Sequence, residues 1–202
     1  FRIEPIYRSD DDYQYARRFT LRVLGAGDLA IPDEPIESHP GDIYLGAEWN
    51  PPGVRAMKGH LAEMQLRGVG IYFLVFDLLP LEFPAYFPKY VTSACQEWLE
   101  NVAGLADGLI CISRTVADQV GSWVASHPPS RQSALRIGHF HLGADLESSY
   151  PTSGLPSDAS QTLEVMRLRP SFLIVGTVEP RKGHAQVLSA FEQLWADSAD
   201  VN

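Results

Sequence analysis

The stretch Val69-Gly70-Ile71-Tyr72-Phe73-Leu74-Val75-Phe76 most narrows what this chain can fold into. It is a nearly continuous apolar, β-rich run of strand length, and it stops at Asp77. A strand without polar alternation belongs inside a parallel sheet covered on both faces. Similar runs occur at Asp42 to Gly46, Leu109 to Ile112 and Leu135 to Phe140. Between them lie apolar stripes at helical spacing: Val54, Met57, Leu61 and Met64; then Val91, Ala94, Cys95, Trp98, Leu99 and Val102; then Val116, Val120, Trp123 and Val124. Such stripes read as core. Strands alternating with helices through short links predict an α/β fold, a Rossmann-like parallel sheet with helices on both faces.

The first residues are less regular. Phe1 to Tyr7 alternates as a strand, with Pro5 marking an edge, and Tyr15, Phe19 and Val23 predict a helix from about Asp12 to Leu24. Gly25-Ala26-Gly27-Asp28-Leu29-Ala30 matches the dinucleotide fingerprint letter for letter. That motif needs a strand before it and a helix after it. Here a helix precedes it and Ile31-Pro32-Asp33-Glu34-Pro35 follows, so it reads as a helix stop and loop.

Composition limits the partners. A length of 202 residues suits one large domain or one and a half ordinary ones, and 45% hydrophobic content supplies a core. A net charge of −9 argues against general nucleic-acid binding and against broad adhesion to anionic lipid, while leaving room for a peripheral membrane contact through a local basic patch. No apolar run approaches a membrane span, and the chain opens in a strand-like segment rather than a signal peptide. Cys95 and Cys111 fall on a helix stripe and in a buried strand, so they read as core residues in a reducing cytoplasm.

After the last of these strands the composition changes. Residues 144–170, rich in Ser, Pro and Gly, read as a connector between a first domain, residues 1–143, and a second, residues 171–202. Ser171 to Gly176 reads as a short buried strand with a sharp turn, and Val187, Leu188, Phe191, Leu194 and Trp195 mark a helix. One strand and one helix cannot bury their own apolar face, so this unit reads as the incomplete opening of a second domain and the chain as a truncation. The turn between them holds Glu179, Arg181, Lys182 and Gly183. Two cations ahead of a helix N-terminus are how α/β proteins receive an anion, although an Arg-Lys pair in a turn is as readily a solvated surface pair.

In parallel sheets, ligands collect beyond the carboxyl ends of the strands. That rule gathers Glu48, Trp49, Asp77, Glu82 and Ser113, together with the turn from Glu179 to Gly183. Each has a plainer reading. Asp77 suits a turn before Pro80, Trp49 suits a cover on the sheet end, and Ser113 suits a helix cap. His139 and His141 share one side of a strand but find no third ligand, so no metal site is expected.

Several of these segments resemble one family. Gly176-Thr177-Val178-Glu179-Pro180-Arg181-Lys182-Gly183 and the helix after it look like the opening of the nucleotide-sugar domain of GT-B retaining glycosyltransferases, specifically the group 1 enzymes that build bacterial polysaccharides. Tyr15 to Phe19, Gly41 to Gly46, Phe76-Asp77-Leu78-Leu79-Pro80, Ala106 to Ser113 and His141 to Asp145 resemble further family segments, in the family's order. The resemblance implies that Lys182 contacts the donor diphosphate. Many relatives place an arginine directly after the strand glycine, where this chain has Thr177, and Arg181 is the cation that stands in for it. Phe76 replaces the family's usual His or Tyr beside Asp77.

The resemblance also implies an acceptor-facing first domain and a second domain that binds the nucleotide-diphosphate sugar. The reaction would be hexose transfer with retention to a saccharide or lipid-linked acceptor. It would need no cofactor and no catalytic metal, and would run in the cytoplasm or at the inner membrane face. The family's paired glutamates would lie past Asn202, so these residues alone are expected to be inactive. Asp77 is the expected acceptor-side catalytic carboxylate; Glu48, Trp49, Glu82 and Ser113 are acceptor-side candidates. The competing class is a non-catalytic nucleotide- or sugar-binding α/β module. An α/β hydrolase is disfavoured because no Gly-x-Ser-x-Gly elbow is present.

Overall fold

A computed structural model describes residues 2–10, 12–27, 29–131, 133–144 and 154–202. The chain divides into two compact units, residues 1–143 and 144–202.

In the first unit, β1 (Ile6–Ser9) and β2 (Asp12–Tyr15) form an antiparallel hairpin ahead of α1 (Arg17–Val23). Four parallel strands follow in sequential order: β3 (Ile43–Gly46), β4 (Gly70–Val75), β5 (Gly108–Cys111) and β6 (Arg136–His139). The crossovers are α2 (Pro51–Leu66), the short α3 (Leu79–Glu82) with α4 (Lys89–Leu105), and α5 (Arg114–Ser126).

Sequential order has a consequence for layering. Right-handed crossovers that all step the same way across a sheet lie on one face. Ile71, Phe73 and Val75 of β4 are buried on that face with Leu61, Leu99 and Val102, while the alternate residues Tyr72 and Leu74 are only half-buried. Leu45 is 49% exposed. The expectation of helices on both faces is therefore met on one face of this sheet. β4 was legible as central, but covering its second face needs a layer that these crossovers do not supply.

The predicted helix from Asp12 is corrected at its start: residues Asp12–Tyr15 are a strand. β2 is bonded on both sides, to β1 and, through Tyr15 N–H to Glu34 O (2.9 Å) and Ile36 N–H to Tyr13 O (3.1 Å), to the segment after α1. Tyr13 is buried with its hydroxyl 3.0 Å from that of Tyr44, a tertiary anchor that overrides local helical spacing. The glycine-rich decoy behaves as a stop: α1 ends at Val23, and Gly25 sits at φ 71° with its N–H bonded to Arg22 O. Asp28 within it and Asp145 lie outside the described residues.

Two polar residues lock the sheet at the edge away from the strand carboxyl ends. Asp107 accepts Ile71 N–H at 2.8 Å and Gln65 Nε2–H at 3.0 Å, tying β5, β4 and α2 together. Arg131 donates to the carbonyls of Ala103 (2.7 Å) and Ala106 (2.8 Å), occupying acceptors at the end of α4. Burial pushes the thiols of Cys95 and Cys111 up to about 11, so both are inert core groups, as expected.

The second unit contains α6 (Ala159–Leu168), a 3₁₀ turn at Pro180–Lys182 and α7 (His184–Ala196). The expected buried strand from Ser171 is corrected: the segment forms no strand, with Leu173 80% and Val175 83% exposed. A strand exists through its ladder, and here the ladder is one rung long. Phe172 N–H donates to Asn202 O and Asn202 N–H to Pro170 O, both at 2.9 Å. That bonding pattern is parallel, so α7 is the crossover of a strand–helix–strand turn in its earliest form. Phe172, Phe191 and Trp195 pack edge to face across it, with centroids 5.5 Å apart in each pair.

Candidate functional site

The register of the sheet fixes which residues share its carboxyl edge. Val75 lies opposite Cys111, and Cys111 opposite His139. Bonds from Ile112 N–H to Val75 O (3.2 Å) and from Phe140 N–H to Cys111 O (3.0 Å) extend the ladder one residue further. Asp77, Ser113 and His141 therefore leave the sheet at the same level, each two residues past a matched position. Glu48 and Trp49 follow β3 on the same edge. Glu82 ends α3 and accepts Gln119 Nε2–H of α5 at 2.8 Å, which holds that loop against the helix Ser113 opens.

Each of these side chains also has a local task. Asp77 Oδ1 accepts Leu79 N–H at 3.0 Å, a turn that starts α3. Its negative charge, after burial, helps raise the Cys95 thiol, which places the carboxylate beside α4. Ser113 Oγ accepts Val116 N–H at 3.2 Å and caps α5. Glu48 Oε1 accepts Asn50 Nδ2–H at 2.9 Å, and Asn50 Oδ1 accepts Gly53 N–H at 2.9 Å to cap α2. Trp49 stands 44% exposed beside them. Among the described residues no hydrogen bond joins Glu48 or Trp49 to Asp77, Ser113 or Glu82. The edge thus carries a row of acceptor side chains and one indole, each with a local partner or exposure of its own.

The basic turn of the second unit is more tightly organised. Glu179 lies at its centre: Thr177 Oγ1–H donates to Oε1, and Arg181 Nε–H donates to Oε2 at 2.7 Å. The Thr177 hydroxyl first, then Arg181, and also the charge of Lys182, hold the Glu179 carboxyl below the usual carboxylate range. Gly183 takes a left-handed φ of 72° between the 3₁₀ turn and α7, a conformation glycine adopts without strain. The stem of Lys182 crosses Gly176, its Cδ 3.6 Å from where a Cβ there would sit. The His184 ring nitrogen Nε2 lies 2.9 Å from Thr177 O and closes the loop on itself. Arg181, Lys182 and Gly183 are therefore held together at the start of α7, with Arg181 already engaged by a carboxylate.

Asn50, Gln119 and His184 were not singled out from the sequence, and Thr177 was named only as the residue that stands where many relatives place an arginine. Asn50 was readable, since an Asn before Pro51-Pro52 is a helix-start signature. The others act across turns or between helices and leave no local pattern. His139 and His141 meet edge to face at 6.1 Å, and among the described residues no group of three His, Cys, Asp or Glu side chains could hold a metal. No helix of the described residues is long and apolar enough to cross a membrane.

These features define an α/β protein with a Rossmann-like parallel sheet and, in its second unit, a basic turn that leads into a helix. The chain is similar to serotype-specific mannosyltransferases WbdA of Escherichia coli: one is 36% identical over 198 residues and two more are 35% identical. The alignments cover 97% of this chain but only 23–24% of those proteins, so the chain spans about a quarter of the length of the curated relatives it matches. No family model matches the chain, and no solved structure does.

Proposed function

We infer that this chain belongs to a glycosyltransferase that moves a hexose, mannose by likeness to the relatives, from a nucleotide-diphosphate sugar to a saccharide or lipid-linked acceptor. The reading places it among GT-B, group 1 enzymes acting with retention. One observation carries it: the likeness to proteins named mannosyltransferases covers 97% of the chain and so takes in both the strand-end edge and the basic turn.

Chemically, the task is to separate an anomeric carbon from a diphosphate. Negative charge grows on the leaving group in the transition state, so preplaced cations and helix N–H groups act where charge develops. Lys182, Arg181 and the backbone at Gly183 suit that role in the second unit. Asp77 suits the acceptor side, orienting a sugar hydroxyl or receiving its proton, with Glu48, Glu82 and Ser113 as further hydroxyl partners and Trp49 as a stacking surface.

The test is nucleoside-diphosphate binding by calorimetry. Lys182→Ala is expected to weaken it at least about tenfold, the scale of one charge-assisted hydrogen bond. Unchanged affinity would remove the diphosphate role from this turn.

A further inference from the structure

Within this donor-site reading, on which the inference rests, we propose that Glu179 is the turn's resident counter-anion, a built-in competitor that the donor diphosphate displaces from Arg181. Two groups converge on this one carboxylate, and a third bond fixes the backbone that carries it. The Thr177 hydroxyl holds Oε1, the Arg181 guanidinium holds Oε2 at 2.7 Å, and the 3₁₀ turn brings Lys182 N–H to within 3.0 Å of the Glu179 carbonyl oxygen. Arg181, one of the two cations proposed for phosphate, thus faces an anion supplied by its own turn.

The geometry separates the roles of the two cations. Arg181 reaches Glu179 along the turn, two residues away, and bonds it directly, while the Lys182 stem packs over Gly176 and acts on Glu179 through its charge alone. Arg181 is then a residue that changes partner, and Lys182 is the steadier phosphate contact. A diphosphate carries more charge than one carboxylate and can engage both cations and the N–H groups at the start of α7, so it wins the exchange. When the nucleoside diphosphate is ready to leave, Glu179 recaptures Arg181, which keeps the site from holding its product too tightly. Glu179 is a specificity-determining residue in this scheme: a ligand with a single negative charge gains little by replacing it.

The experiment titrates inorganic pyrophosphate into the full chain at low salt by calorimetry, with circular dichroism to confirm that each variant is folded. Glu179→Gln keeps the shape and an acceptor for Thr177 but removes the charge. It is expected to bind pyrophosphate about two- to five-fold more tightly, the scale of an exposed ion pair, with the gain shrinking as salt rises. Thr177→Val, which loosens the carboxylate without changing any charge, should shift affinity the same way by less. If Glu179 is only a brace for the loop, both variants bind pyrophosphate as weakly as the wild type or more weakly, and the inference is overturned. That outcome is distinct from failure of the donor-site reading, in which Lys182→Ala leaves pyrophosphate affinity intact or no variant binds it at all.

Discussion

Ser113 offers the sharpest separation of a structural from a ligand-binding role. It begins α5, its Oγ accepts Val116 N–H at 3.2 Å, and its extended backbone (φ −157°, ψ 163°) is that of an N-cap. Val116 is buried at 7% exposure, so water is poorly placed to replace the hydroxyl. Loss of a cap costs about 0.5–2 kcal/mol, and the shielding of this N–H puts Ser113→Ala in the upper half, about 1–2 kcal/mol. With a urea m-value of about 2 kcal/mol per molar, the midpoint should fall by about 0.5–1 M. Ser113→Asp supplies another capping oxygen and should recover most of that loss, while Ser113→Gly should cost only a few tenths of a kcal/mol, ~0.3. The assay is urea unfolding followed by far-UV circular dichroism, repeated for acceptor affinity. A Ser113→Ala midpoint equal to wild type, or an Asp variant as weak as the Ala one, would refute the cap argument and return Ser113 to the acceptor site.

Two further perturbations test the packing that builds the edge. Gly46→Ala should destabilise by about 1–3 kcal/mol, the scale of overpacking, because its Cβ would sit 2.3 Å from the ring of buried Phe73; an unchanged urea midpoint would contradict the register of β3 on β4. Burial first of all raises the Tyr13 and Tyr44 phenols above their ordinary value, so the folded chain holds these protons more tightly than the unfolded one. The stability they contribute is fully present below about pH 10, the unfolded value, and is lost as pH rises beyond it. Phenolate absorbance should show a subset of the 8 tyrosines resisting ionisation until the chain unfolds, and Tyr13→Phe with Tyr44→Phe should remove that subset.

What the sequence by itself determined is the alternation that makes an α/β chain. Val69 to Phe76 is legible as a strand because its side chains need burial whatever surrounds them. Ser113 is legible as a cap because capping is satisfied within a few residues, and the basic turn is legible because cations, glycine and helix start are contiguous. Tertiary structure alone decided the rest. It made Asp12–Tyr15 a strand, because Tyr13 is held by Tyr44 from across the chain. It left the second face of the sheet half-buried, because sequential crossovers stack on one side. It left Leu173 and Val175 exposed, because a strand becomes one only when a ladder forms beside it. It also turned Glu179 inward on Arg181, a pairing that composition and spacing do not express, since the same residues in the same order could equally have faced water.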